Sequence, residues 1–318
     1  MRNEINQPIE KIIHRCLNPS GYDGRLNIPS GYLRISITDH CNMNCDYCHN
    51  EGQKEKNTSF LSIDDLRYIA SKTLQYGLAK IKLTGGEPLL HPDCQKMVRM
   101  LKRDLSIPHV GLNTNGIFFD RLLPIVSDGL LDDIVVGVDY AENPISKKSQ
   151  FGVSSKEILN NVLKLKKLIQ NVSIACVYDG NKERLANLVN WSLQHEVVLK
   201  ILEVSDDKIY SGISQKFISM IEYILERFSL KLGMIDTLSE YFGMIANEPN
   251  VFFFHSHCRL RECDICALIH IRVTSRGRIK SCILNKIEYP LLPPGDFDNS
   301  ISKVIHDIGH TPEYFMQG

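Results

Sequence analysis

Six short runs rich in β-branched residues punctuate the first two thirds of the chain: YLRISIT (32–38), KIKLT (80–84), HVGLN (109–113), DIVVGVD (133–139), VSIACVY (172–178) and VVLKILEV (197–204). Between them lie longer runs with the apolar spacing of helices, near 62–76, 93–105, 119–128, 155–170 and 183–195. Ser62 followed by Asp65, and Ser154 followed by Glu157, have the spacing of capping boxes and mark two helix starts. Strands alternating with helices imply βα units and a parallel sheet, hence an α/β fold. Six such units suggest a barrel or partial barrel, in which chemistry collects at the carboxyl ends of the strands.

The motifs fall where that architecture would put them. Cys41, Cys45 and Cys48 follow the first run, TGGEP follows the second, NTNG follows the third and Asp139 ends the fourth. Beyond about residue 206 the pattern changes to a helix near 214–230 and an ambiguous stretch to 250. The segment FFFHSHCRLRECDICALIHIRVTSRGRIKSC then reads as an extension over the barrel mouth. The domain reading is an N-terminal extension (1–30), a core (31–206) and a C-terminal region (207–318).

Lys plus Arg and Asp plus Glu balance at 37 each, so no overall positive field exists to hold a nucleic-acid backbone or an anionic membrane. Residues 1–20 lack an apolar signal core, and no stretch approaches 18 uninterrupted apolar residues, so a cytoplasmic protein is expected. Seven of the ten cysteines form two clusters: Cys41, Cys45 and Cys48, then Cys258, Cys263, Cys266 and Cys282. In a long chain of this kind clustered thiols point to metal ligation rather than disulfides. Cys16, Cys94 and Cys176 stand alone and read as small packed side chains.

For the first cluster, zinc would require a fourth ligand, which His40 or His49 could supply. Zinc cysteines usually come as paired C-x2-C knuckles, whereas this spacing is C-x3-C-x2-C. Three thiolates on an iron–sulfur cluster leave one iron open to a small-molecule ligand. In the second cluster, Cys263 and Cys266 precede a hairpin, HIRVTSRGRIKSC, that could return Cys282 to them. A structural zinc site completed by Cys258 and an auxiliary iron–sulfur cluster are both consistent with that set.

The C-x3-C-x-aromatic-C motif after a first strand, with GGEP after a second, resembles the radical S-adenosylmethionine (SAM) superfamily. The resemblance implies a partial (β/α)6 barrel of the TIM type with a C-terminal auxiliary-cluster extension. It also implies a [4Fe–4S] cluster on Cys41, Cys45 and Cys48 whose open iron binds SAM, and reductive cleavage to a 5′-deoxyadenosyl radical that abstracts a substrate hydrogen. An electron donor such as flavodoxin or ferredoxin would be a partner. On this resemblance Tyr47, Gly85, Gly86, Glu87, Pro88, Asn115, Gly137 and Ser205 fall at SAM-contacting positions, with Gly137 replacing a serine and Ser205 a methionine.

YDGRLNIPSGYLRISITDHCNMNCDYC, KLTGGEPLL, NTNG, GVDY and RVTSRGRIKSC together resemble the GTP 3′,8-cyclase family of molybdenum-cofactor biosynthesis. That narrower resemblance implies GTP or a related nucleotide as substrate, held by Arg34, Lys82, Thr114, Lys200 and Arg272, with Lys82 and Lys200 standing where the family has arginine. It also implies a second [4Fe–4S] cluster on Cys263, Cys266 and Cys282. Several residues depart from the family: Ser173 replaces a lysine, His270 an arginine, Cys258 is additional, and the chain ends in a single glycine. These differences touch substrate rather than SAM. The alternative is a radical SAM maturase of a ribosomal peptide or other natural-product precursor, and a third reading is a non-catalytic zinc and iron–sulfur scaffold.

Overall fold

The structure is a computed structural model in which residues 32–53, 59–75, 80–138, 153–204, 214–234, 244–246, 250–254 and 270–315 are described. Asp139, Ser205, Cys258, Cys263, Cys266, the expected N-terminal extension and the chain's final residues lie outside that set. The chain divides into two compact units. One comprises residues 1–41, 49–110 and 262–318, and the other 42–48 and 111–261.

In the first unit, β1 (Tyr32–Thr38) pairs in parallel with β2 (Lys80–Gly85) on one edge and β10 (His270–Val273) on the other. An antiparallel hairpin continues through β11 (Arg278–Lys280) to β12 (Tyr289–Pro290), so the order is β12-β11-β10-β1-β2. The C-terminal hairpin therefore extends the sheet beside β1 and does not merely lie over a mouth, as the sequence suggested. The reason is a shared period of two. Leu33, Ile35 and Ile37 of β1 alternate with Arg34, Ser36 and Thr38, and Ile271 and Val273 of β10 alternate with Arg272, in matching register.

The apolar set is fully buried together with Ile81 and Leu83 of β2 and with Leu66 and Ile69 of α1 (Ile63–Gln75). Ser62 caps α1, accepting from the Asp65 amide at 3.0 Å as the capping-box spacing predicts. The helix after β2 runs as α2 (Cys94–Arg99) into a wider turn (Met100–Asp104). It contributes Met97, Val98 and Leu101 to the core. The unit closes with α7 (Phe297–Phe315).

In the second unit, β3 (His109–Thr114), whose first two residues count with the first unit, begins the order β3-β4-β5-β6-β9-β8-β7. β4 (Asp133–Gly137), β5 (Val172–Val177) and β6 (Val198–Leu202) run parallel, matching the predicted strands within two residues at either end. The helices between them are α3 (Phe119–Ser127), α4 (Ser155–Lys166) and α5 (Lys182–His195). Ser154 caps α4 by accepting from the Glu157 amide at 3.2 Å. After α6 (Gln215–Arg227) come β7 (Leu232–Met234), β8 (Met244–Ala246) and β9 (Val251–Phe254).

β9 pairs in parallel with β6, placing Phe252 beside Lys200 and burying Phe253 completely. The stretch NVFFF carried a strand where the sequence reading saw only the approach to the second cysteine cluster. Among the described residues no helix is long and apolar enough to cross a membrane. Cys94 and Cys176 are buried, as expected of packed thiols. Burial, with the Glu87 carboxylate adding to it, pushes the Cys94 thiol up to about 12, where it has little thiolate to react. Phe253→Ala is expected to cost about 3–5 kcal/mol, read as a lowered denaturant midpoint, because truncating this fully buried ring leaves a cavity in the core.

Candidate functional site

Sheets with parallel neighbours on both edges usually read as apolar on both faces. In the first unit one face is not. Arg34 lies opposite Lys82 on one side and Arg272 on the other, and Arg272 lies opposite Lys280 on β11. Paired residues in adjacent strands share a face, so four cations form one row across β2, β1, β10 and β11. Lys82, Arg272 and Lys280 are 4%, 7% and 1% exposed. The next row holds Ser36 opposite Thr84, both buried.

A carboxylate reaches into this row between the two arginines. Glu51 follows the first cysteine motif in a short turn (Asn50–Gly52) and accepts from Arg34 Nη2 at 2.7 Å, Thr84 Oγ1 at 2.8 Å and Arg272 Nε at 3.3 Å. Burial alone would push the Glu51 carboxyl up. Arg34 and then Arg272 outweigh it and hold the group well below the usual carboxylate range. Glu51 has φ 50 and ψ 26, the left-handed region, which costs a residue with a Cβ about 1–2 kcal/mol.

The same turn is fastened to the hairpin at two further points. Lys280 Nζ donates to the Gly52 carbonyl at 2.7 Å and stands 3.7 Å from Glu288 Oε1. Gln53 Oε1 accepts from the Ser275 amide and hydroxyl at 2.9 and 2.7 Å, while Gln53 Nε2 donates to Ser36 Oγ at 2.9 Å. Gly52, at φ +75, packs so tightly that a Cβ would lie 2.4 Å from the Ile283 carbonyl, beside buried Cys282. Cys282 Sγ accepts from the Leu284 amide at 3.3 Å.

The GGEP motif is docked by backbone. The Gly86 amide donates to the Thr38 carbonyl at 2.8 Å and the Glu87 amide to the His40 carbonyl at 2.7 Å. A Cβ on Gly86 would meet the His40 carbonyl oxygen at 2.1 Å, and one on Gly85 the Thr38 carbonyl at 2.2 Å. The expected need for close backbone approach thus has a partner within the chain itself, the stretch leading into Cys41. Glu87 is wholly buried and its side chain accepts from the Leu89 amide at 3.0 Å, opening the turn Pro88–Leu90 with buried Pro88 at its start.

Cys41 and Cys45 are half-buried and Cys48 exposed, and the Cys48 amide closes a turn onto the Cys45 carbonyl at 3.1 Å. Among the described residues no three His, Cys, Asp or Glu side chains are drawn together as a metal group, so the assignment of these thiols as ligands rests on spacing and donor chemistry. The donor set fits an iron–sulfur cluster with one open iron: three thiols in eight residues on a loop. In the second unit Asn42, beside them in sequence, accepts from Asn115 Nδ2 at 2.8 Å, while its own buried Nδ2 has no hydrogen-bond partner among the described residues, nor does Asn113 Oδ1. Buried amide groups left without partners favour a polar ligand.

The remaining predicted residues of the second unit are placed as follows. Tyr47 is half-buried, and Thr114 ends β3 with its hydroxyl accepting from the Gly116 amide at 3.1 Å. Gly137 closes β4, exposed, with room for a Cβ. Lys200 is half-buried opposite Ala175, and Ser173 is buried one row away. The sequence reading did not single out Glu51 or Lys280. The alternation in RGRIKSC was a signal for Lys280, since it sets Lys280 on the face of Arg272, but nothing local marks Glu51 apart from a solvated loop acid.

A lowered carboxyl pKa contributes stability that is complete above the unfolded value, near 4.5, and lost as pH falls through the folded one. The stability difference between the native chain and Glu51→Gln is therefore expected to be constant from pH 5 to 7 and to shrink below pH about 4, read by chemical denaturation across that range. Gly86→Ala is expected to destabilise the chain by about 2 kcal/mol or more, since its Cβ meets backbone.

Three comparisons bear on this geometry. Residues 35–191 match the Radical SAM superfamily. A protein of Methanococcus maripaludis strain C6 named "Probable GTP 3′,8-cyclase" is 35% identical over 132 residues, 42% of this chain and 44% of its own length. The chain thus spans less than half of that relative. A protein of the same name from Methanococcus aeolicus is 28% identical over 262 residues, 79% of this chain and 85% of its own. Among solved structures, Streptococcus suis SuiB bound to S-adenosylmethionine superposes with a TM-score of 0.63 at 16% identity, over 89% of this chain and 67% of SuiB. SuiB bound to its precursor peptide SuiA gives 0.62 at 15% identity, over 86% of this chain and 65% of SuiB. At these identities the structural likeness shows the fold alone, and that fold is the α/β architecture with a parallel sheet expected from the strand and helix alternation. With the motif match added, residues 35–191 of this chain are a radical SAM domain.

Proposed function

We propose that this radical SAM enzyme acts on GTP or a closely related nucleoside polyphosphate. The observation that carries the reading is the row of buried Lys82, half-buried Arg34 and buried Arg272 in one register across three strands. Cations set side by side on one sheet face favour an anionic ligand, and a polyphosphate is an anion of matching chemistry. Arg34 and Arg272 are suited to it by their fork of donors, which grips phosphate oxygens in pairs.

In this reading Cys41, Cys45 and Cys48 would hold a [4Fe–4S] cluster, and Gly85 to Pro88, Tyr47, Asn115 and Gly137 would each be SAM-contacting residues. When bound, that cluster with SAM supplies reductive cleavage to a 5′-deoxyadenosyl radical. The chain's own part would be to hold the phosphates at the cation row. Cys263, Cys266 and Cys282 would hold a second cluster. The Leu284 amide already donates to Cys282 Sγ at 3.3 Å.

The names of the two Methanococcus proteins support the nucleotide reading, and the SuiB–SuiA complex is the point of comparison for a peptide substrate. Anaerobic reconstitution separates the two. The native chain is expected to take up about eight irons, two cubane clusters' worth, to release 5′-deoxyadenosine from SAM under reduction, and to do so faster with GTP while forming a cyclised nucleotide. SAM cleavage with no response to GTP and no cyclised nucleotide would defeat the nucleotide substrate. Cys41→Ala, Cys45→Ala and Cys48→Ala should each abolish SAM cleavage, and retained cleavage would defeat the whole assignment. Cys258→Ala should assemble the second cluster with full iron if Cys258 is not a ligand.

A further inference from the structure

The loop that carries the first three cysteines holds a buried donor with no acceptor. Asn42, 2% exposed, follows Cys41 directly and shares the second unit with Cys45 and Cys48, three and six positions on. A relay of hydrogen bonds fixes which end of its amide is spare. The Ile117 amide can only donate, and it donates to Asn115 Oδ1 at 3.1 Å. Asn115 Nδ2 must then be the group turned toward Asn42, and it donates to Asn42 Oδ1 at 2.8 Å. The spare end is therefore Asn42 Nδ2, which is buried and has no hydrogen-bond partner among the described residues. Buried amide donors are almost always paired, so this one calls for a ligand.

We propose that Asn42 Nδ2 donates a hydrogen bond to a sulfur of the cluster that Cys41, Cys45 and Cys48 would hold, and so raises that cluster's reduction potential. The inference rests on the cluster reading above and adds to it a group that ligand spacing does not mark. Reduction by one electron from an external donor puts further negative charge on the sulfurs, so an N–H donor stabilises the reduced form more than the oxidised one. The proton stays on the amide in both states. Because Asn115 holds Asn42 by its oxygen, the nitrogen keeps its direction, as groups that orient and tune a metal site from outside the ligand set must. A donor to SAM alone would leave the potential measured without SAM unaltered.

The test is a potentiometric titration with dithionite, in the absence of SAM, of the full chain reconstituted anaerobically, native and Asn42→Leu. It follows the reduced-cluster magnetic signal that SAM perturbs when added afterwards. Leucine matches asparagine in shape and has no donor. At equal iron content the one-electron reduction constant of Asn42→Leu is expected to fall about tenfold, a shift of about 59 mV toward more negative potential. An unchanged or raised constant overturns the role of Asn42 and leaves the cluster reading standing, and if SAM then binds more weakly Asn42 is a SAM contact instead. If the native chain assembles no cluster that responds to SAM, the cluster reading falls and this inference with it. Should Asn42→Leu not fold, Asn42→Asp carries the test, since it keeps the oxygen that Asn115 holds and lacks the donor. In heavy water the native reduced signal is expected to show a deuteron coupling from the amide that Asn42→Asp lacks. A residue that only anchored Asn115 would leave that coupling unchanged, and its persistence in Asn42→Asp overturns the proposal.

Discussion

β1 is hydrogen-bonded in parallel along both edges, and most of the first unit follows from that. A strand with two parallel neighbours has no edge to protect, and its apolar alternation, Leu33, Ile35 and Ile37, is committed to the packed face. The intervening residues, Arg34, Ser36 and Thr38, are then obliged to point the other way. Because both partners are in register, whatever polar residues they carry at the matching positions fall into line with them. The cation row is thus a consequence of pairing and period, not of any loop folding over a surface. A slip of one residue in β10 would send Arg272 into the core and Ile271 toward Glu51.

Much of this was legible in the chain itself. The six strand runs reappear with boundaries shifted by two residues or fewer, and the serine caps at Ser62 and Ser154 do what their spacing promised. Those features are local, written in two- and four-residue periods. What escaped was non-local. No periodicity in HIRV says that its neighbour is YLRISIT, more than two hundred residues earlier, and NVFFF could be recognised as a strand only beside β6. Glu51 was hidden for the same reason. In HNEG it looks like a solvated loop acid, and only the convergence of Arg34 and Arg272 on it makes it a buried one.

The candidate site shows how backbone and side chain divide the work. Around GGEP the contacts are main-chain amides to main-chain carbonyls at Thr38 and His40, and the glycines are needed because a Cβ would collide with those carbonyls. Around Glu51 the contacts are side chains, and their geometry is set by a short run of left-handed backbone. The first arrangement is rigid and indifferent to charge. The second depends on charge balance.

The bond between Arg272 and Glu51 joins residues 221 positions apart. Closing so long a loop is entropically expensive and comes late in folding, after local βα units have formed. A nascent chain emerging from its N-terminus would hold Arg34 and Lys82 on a sheet whose third strand has not yet been made. The cation row would then be completed in a single event, when the hairpin docks and sets Arg272 beside Arg34.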